Sequence, residues 1–99
     1  MAAIYPDLKD KTVIVTGGAG GIGEAIVRSF HAQGARVGFL DIDTQRGPRL
    51  RAELGADTLF IPCDLTDIPA LKAAVAEVRA AFGLIDVLVN NAAHDERHA

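Results

Sequence analysis

A chain of 99 residues, 49% hydrophobic and 23% charged, is one domain or a piece of one, with enough apolar material for a small core. Its formal net charge of −3 leaves no basic footprint for a polymeric nucleic acid, and its single cysteine, Cys63, excludes a disulfide framework. No apolar stretch approaches a membrane span and the first ten residues do not form a signal peptide, so a cytoplasmic protein with no nucleic-acid or membrane partner is expected.

The predicted elements alternate along the chain. Thr12-Val13-Ile14-Val15 is short and β-branched, as a buried parallel strand is, and the strand is placed over 12–16. A glycine run follows, then a helix over 22–33 whose apolar face is read as Ile22, Ala25, Ile26, Ser29, Phe30 and Gln33, with Glu24, Arg28 and His31 opposite. Gly34 ends it. Arg36 to Asp41 is a second strand. Pro48 opens a short second helix that runs to about Leu54 before Gly55, and Arg46, Arg49 and Arg51 read as its solvated face. Thr58 to Cys63 is a third strand, placed at a sheet edge by Pro62. Thr66 caps a third helix whose stripe is Leu71, Val75, Val78 and Phe82, and Asp86 to Asn90 is a fourth strand.

This βαβαβαβ order with short connections predicts an α/β fold: a doubly wound parallel sheet with right-handed crossovers and helices on both faces. Val87-Leu88-Val89 is apolar on both faces and belongs deep in such a sheet, yet only ten residues follow it, so the sheet reads as half built. The fourth strand and the apolar sides of the third helix are then expected to be partly uncovered. Self-association follows from that expectation.

Thr16-Gly17-Gly18-Ala19-Gly20-Gly21-Ile22-Gly23 sits between the first strand and the first helix, where unpaired N–H groups and a partial positive charge face the loop. That suits the pyrophosphate of a dinucleotide. Two registers fit: Gly18-x-Gly20-x-x-Gly23, the general fingerprint, and Gly17-x-x-x-Gly21-x-Gly23 after Thr16, a longer variant. Asp41, 18 residues beyond Gly23 at the carboxyl end of the second strand, is placed to hold the adenosine ribose hydroxyls, which points to NAD. At about 4 Å from the 2′-phosphate of NADP, its carboxylate would be repelled by on the order of 4 kcal/mol at an effective dielectric near 20. No Arg or Lys stands at position 42 to offset this, since Ile42 follows Asp41. Asp64, after the third strand, and Asn90-Asn91, after the fourth, fall on the same rim. Alone, each is equally a turn or helix-starting residue.

Taken together, these residues resemble the short-chain dehydrogenase/reductase family over almost the whole chain. Thr16-Gly17-x-x-x-Gly21-Ile22-Gly23 resembles its cofactor loop and selects the second register; Asp64-Leu65 resembles its adenine-contacting pair; Asn90-Asn91-Ala92-Ala93 resembles its Asn-Asn-Ala-Gly signature, with Ala93 in place of the last glycine. The resemblance implies a Rossmann-like NAD-binding domain over 1–99, lacking the catalytic half. It implies a cofactor set of Gly17, Gly21, Ile22, Gly23, Asp41, Ile42, Asp64, Leu65, Asn90 and Ala92. Asn90 would hold the nicotinamide-side ribose or the central strand. Ile4-Tyr5-Pro6-x-Leu8-Lys9, Phe39-Leu40-Asp41-Ile42, Cys63-Asp64-Leu65 and Asp95-Glu96-Arg97-His98 further resemble the NAD-dependent aldose 1-dehydrogenases of the D-xylose type. There Arg97 and His98 would lie in a substrate loop and bond sugar hydroxyls.

The family acts through a serine and a Tyr-x-x-x-Lys helix. The one formal match here, Tyr5-x-x-x-Lys9, precedes the first strand and so lies at the wrong end of the sheet, and Ser29, the only serine, is inside the first helix. The resemblance therefore implies the NAD-binding part of a hydride-transferring oxidoreductase, homo-oligomeric and acting on an alcohol, carbonyl or sugar, with no catalytic residue in these 99 and no activity of the chain alone. A stand-alone dinucleotide-binding or sensing module is the alternative; a methyltransferase fits the glycine loop but not Asp64-Leu65 and the Asn-Asn-Ala-Ala run. His94 and His98 lack a third ligand, so no metal is expected.

Overall fold

Strand β1, Thr12–Thr16, is buried along its whole length because β-branched residues face both ways and meet a packed layer on each side. The computed structural model describes residues 8–91. β1 is followed by α1 (Gly21–Ala32), β2 (Arg36–Asp41), α2 (Arg46–Leu54), β3 (Thr58–Pro62), α3 (Ile68–Phe82) and β4 (Val87–Asn90). All pairings are parallel and the strand order is β3-β2-β1-β4, so the first strand lies inside the sheet between β2 and β4.

The helices divide between the two faces, as alternation along β1 requires. Val13 and Val15 point with Val37 and Phe39 into a layer closed by Val27 of α1 and Leu50 of α2. Ile14 and Leu40 point the other way, onto Ala74 and Val78 of α3. Gly38 makes the second contact possible, since a methyl there would stand 2.6 Å from Val78 Cγ2. The expected α/β doubly wound architecture is present, a Rossmann-like fold.

Several local expectations are corrected. The buried residues of α1 are Gly23 and Val27, with Ile26 and Phe30 half-buried; Ile22 is 73% exposed and Ala25 is also exposed. The helix is rotated toward Gly23 because a glycine allows the closest approach to the sheet, a contribution that apolar counting overlooks. α2 starts at Arg46, not Pro48: Asp43 Oδ1 accepts from the N–H groups of Gln45 and Arg46 at 3.0 and 2.8 Å and organises the turn earlier. α3 is capped by Asp67 rather than Thr66, its carboxylate accepting from Ala70 N at 3.1 Å, while Thr66 is engaged by Asp64. β3 ends at Pro62, although Cys63 N still donates to the Asp41 carbonyl.

Pro62 does lie on an edge strand, exposed, as expected. Among the described residues β4 is paired on one side only, with Val87 and Val89 half-buried and Leu88 64% exposed. Asp86 fixes its start: the carboxylate accepts from Thr12 N, and Asp86 N donates to the Thr12 carbonyl, both at 2.9 Å. Among the described residues no helix is long and apolar enough to cross a membrane.

Candidate functional site

The glycine loop turns at the carboxyl end of β1 and needs glycines of both registers, since a Cβ on Gly18 would stand 2.7 Å from Phe39 Cβ. Gly17 and Gly21 have φ of 70° and 57°, the left-handed region that glycine enters freely, and a Cβ on Gly23 would overlap the Gly17 carbonyl. These three are the glycines of the longer variant. α1 begins after Gly20 with no side-chain cap, so its first N–H groups remain presented to the loop. Such a cradle, glycine-lined and open at a helix N-terminus, fits a pyrophosphate.

Asp41 closes β2 beside it. Oδ2 accepts from Ala19 N at 3.1 Å and Oδ1 from Asp43 N at 3.0 Å, which fixes the carboxylate without using all its acceptor capacity. The remaining lone pairs suit two ribose hydroxyls. Asp41 and Ile42 share a cleft of about 230 Å³ with Gly17, Cys63, Asp64, Leu65 and Thr66. The structure thus brings five of the sequence-predicted residues, Gly17, Asp41, Ile42, Asp64 and Leu65, around one cavity.

Asp64 is exposed, and its Oδ1 accepts from the Thr66 hydroxyl at 2.7 Å and from Thr66 N at 2.9 Å. These donors, the hydroxyl first, hold its carboxyl below the ordinary range. Cys63, at the floor, goes the other way: burial, then the charges of Asp67 and Asp64, push the thiol up. It is a neutral, weakly reactive group there, in keeping with a packing role.

On the other side of the loop a wider groove is lined by Ile22, Ile26, Leu88, Val89, Asn90 and Asn91. Thr16 Oγ1 lies 3.0 Å from Asn90 Oδ1 and 3.3 Å from the Val89 carbonyl, linking β4 to the central strand. Asn91 Nδ2 donates to the Gly17 carbonyl at 3.1 Å. This link ties the fourth rim segment to the glycine loop, and the sequence reading gave Asn91 no role; its adjacency to Asn90 was the available signal. Ala92, Arg97 and His98, with Tyr5 and His94, lie outside the described residues. Lys9 is exposed at the opposite end of the sheet, its side chain against Gly34. Among the described residues no cluster of three or more His, Cys, Asp or Glu is arranged to hold a metal.

Arg46 is 63% exposed, as its reading as part of a solvated face expects, and its side chain also reaches the glycine loop. Its guanidinium crosses Gly20, where a methyl would stand 2.6 Å from Nη1. Arg51 is not merely solvated either, since Nε donates to the Thr58 carbonyl at 3.2 Å.

Comparison with known proteins agrees with this geometry. A family model described as short chain dehydrogenase matches residues 11–99. A probable galactose dehydrogenase of Rhizobium meliloti is 46% identical over 96% of this chain and 39% of its own length, and a D-xylose 1-dehydrogenase of Caulobacter vibrioides is 46% identical over 98% and 39%. A crystal structure of a 3-ketoacyl-(acyl-carrier-protein) reductase from Brucella melitensis complexed with NADH superposes with a TM-score of 0.79 at 31% identity, covering 82% of this chain and 34% of that one. The chain spans about 39% of the length of the two curated relatives. By the family match, the fold and the identities together, the chain belongs to the short-chain dehydrogenase family.

Proposed function

We propose that these 99 residues form the NAD(H)-holding part of an oxidoreductase that moves a hydride between the nicotinamide ring and an alcohol or carbonyl carbon, a sugar foremost. The observation that carries it is Asp41, fixed by Ala19 N and Asp43 N at the rim of an uncapped glycine loop. Gly17, Gly21 and Gly23 would accept the pyrophosphate, with Ile22 contributing backbone N–H; Asp41 would hold the adenosine ribose; Ile42, Asp64 and Leu65 would border the adenine. Asn90 and Ala92 would stand on the nicotinamide side. The cofactor, when bound, supplies the hydride or accepts it.

What these side chains contribute is position and exclusion. Asp41 distinguishes a ribose hydroxyl, which it accepts from, from a phosphate, which it repels. Ile22 and Leu88 line an apolar groove in which a ring is kept from water. A sugar as substrate is supported by the galactose and D-xylose dehydrogenases among the relatives, with Arg97 and His98 as its contacts. Proton transfer to or from the substrate falls to groups outside these 99 residues, so the chain alone is expected to bind and not to turn over. Among the described residues β4 is paired on one side only, and that open edge supports homo-oligomerisation or self-association of the chain. A cytoplasmic setting, with Cys63 reduced, belongs to the same reading.

Titration of the chain with NADH, followed by nicotinamide fluorescence, tests the cofactor; no binding at millimolar NADH would remove the proposal. A longer protein containing this chain, assayed with NAD and with D-xylose, D-galactose and small non-sugar alcohols, tests the substrate. Turnover confined to the non-sugar alcohols would remove the sugar.

A further inference from the structure

The first turn of α1, which begins without a side-chain cap, carries one carboxylate, that of Glu24. Side chains on a helix lean toward its N-terminus, so Glu24 leans back toward the Gly20-Gly21 turn, where the Gly20 carbonyl accepts from Glu24 N at 3.4 Å. An unrestrained carboxylate in that place is drawn to the same open N–H groups and partial positive charge that suit a pyrophosphate. Glu24 is thus a rival anion built into the helix.

The structure pairs it in the opposite direction. Arg28, one turn further along α1, donates from Nε to Glu24 Oε2 at 2.8 Å. The rest of the guanidinium holds Glu53 of α2 by two parallel bonds, Nη1 to Oε2 at 2.6 Å and Nη2 to Oε1 at 2.8 Å. A two-bonded fork of this kind fixes the plane of the group. Arg28 is therefore anchored on α2 while it draws the Glu24 carboxylate toward the C-terminal end of α1. The side chains of Arg28, Glu24 and Glu53 are 39%, 35% and 54% exposed, so these pairs contribute little to the stability of the fold.

We propose that Arg28 is a positioning residue for the dinucleotide: anchored on Glu53, it restrains Glu24 from capping α1 and so leaves the glycine loop open to the diphosphate. This rests on the loop being the dinucleotide site. Loss of Arg28 acts through Glu24, on the phosphates alone. The adenosine end, held by Asp41 on β2, does not sense it.

The test displaces NADH with ADP and with adenosine, which differ only in the diphosphate, on the native chain and on Arg28→Gln, Glu24→Gln and the variant carrying both changes. Arg28→Gln is expected to weaken ADP by about three- to fivefold, the worth of one carboxylate at a helix N-terminus, and to leave adenosine unchanged. With Glu24→Gln added, ADP returns to native affinity, because the rival anion is gone; Glu24→Gln alone binds ADP at least as tightly as the native chain. A purely structural role predicts otherwise: adenosine weakened as much as ADP, and no recovery in the double variant. Either of those results, an unchanged ADP affinity in Arg28→Gln, or weaker ADP binding by Glu24→Gln would overturn the role of Arg28. A native chain that binds neither NADH nor ADP overturns the dinucleotide site itself, and this proposal with it. Circular dichroism of each variant checks that the fold is retained, as the exposure of the three side chains leads us to expect.

Discussion

The side-chain amide of Asn91 donates to the carbonyl oxygen of Gly17 across 3.1 Å and 74 positions of sequence. That oxygen lies where a Cβ on Gly23 would go, so the glycine loop is clamped between the end of β4 and the first turn of α1.

Asn91→Ala is accordingly expected to cost about 0.5–1.5 kcal/mol of stability, the worth of one ordinary hydrogen bond. NADH affinity should fall several-fold through loosening of the loop. Urea denaturation and NADH titration of the same variant measure the two effects separately.

Gly23→Ala is expected to be more severe. The added methyl meets backbone rather than a movable side chain, and overpacking of this kind costs about 1–3 kcal/mol or more. Thermal denaturation should show a lowered midpoint and NADH titration an abolished site; full affinity in this variant would contradict the tight contact.

Asp41→Asn removes the charge but leaves one acceptor oxygen for two N–H donors, Ala19 and Asp43. The NADPH to NADH affinity ratio should rise by about tenfold or more as the repulsion is lifted, with stability falling by about 1 kcal/mol. Paired titrations with the two reduced cofactors check the ratio.

The strands and most helix limits are legible in the sequence because β-branched runs, glycines and prolines act locally. Gly34, Gly55 and Gly83 mark the helix ends, each with positive φ. Asp41, Asp64 and Asn90 are legible as rim residues because strand ends in a parallel sheet share one edge. The packed face of α1 is not, because Gly23 carries no side chain to count and Ile22 is apolar yet exposed. Asp67 and Thr66 are adjacent and both competent as caps; Asp64, which takes the Thr66 hydroxyl, decides between them. The reach of Arg46 over Gly20 depends on how α2 lies against the loop, which no local pattern encodes.

Asp67→Ala should cost about 1 kcal/mol, as removal of an N-cap does. In a domain of this size that is a fall of about 4–8 °C in Tm. Calorimetry on Asp67→Ala and on Thr66→Ala compares the two residues, and the larger loss should belong to Asp67.

Acid should destabilise the fold through Asp43, Asp64 and Glu53. Their carboxyls are held low by the N–H groups of Arg46 and Gln45, by Thr66, and by Arg28 respectively. A carboxyl with a lowered folded pKa stabilises above its unfolded value, and that contribution is lost as pH falls through the folded value. The urea midpoint should therefore be flat from neutrality down to the ordinary values of 4.5 for Glu and 3.8 for Asp, and decline below them. Glu53 and Asp64 are exposed and Asp43 is half-buried, so added salt should shrink the decline. Thr66→Ala should remove the part of the Asp64 share that the Thr66 hydroxyl supplies and leave the part due to its backbone N–H.

The place of β1 inside the sheet has a temporal consequence. Its neighbour β4 pairs Val87 with Val13, so one side of β1 waits for a strand 74 residues later in the chain. At about 5–20 residues per second, the ribosome takes roughly 4–15 s to supply that partner. Throughout that interval an apolar strand stands with an open edge on the nascent chain, a substrate for chaperones that the finished sheet conceals.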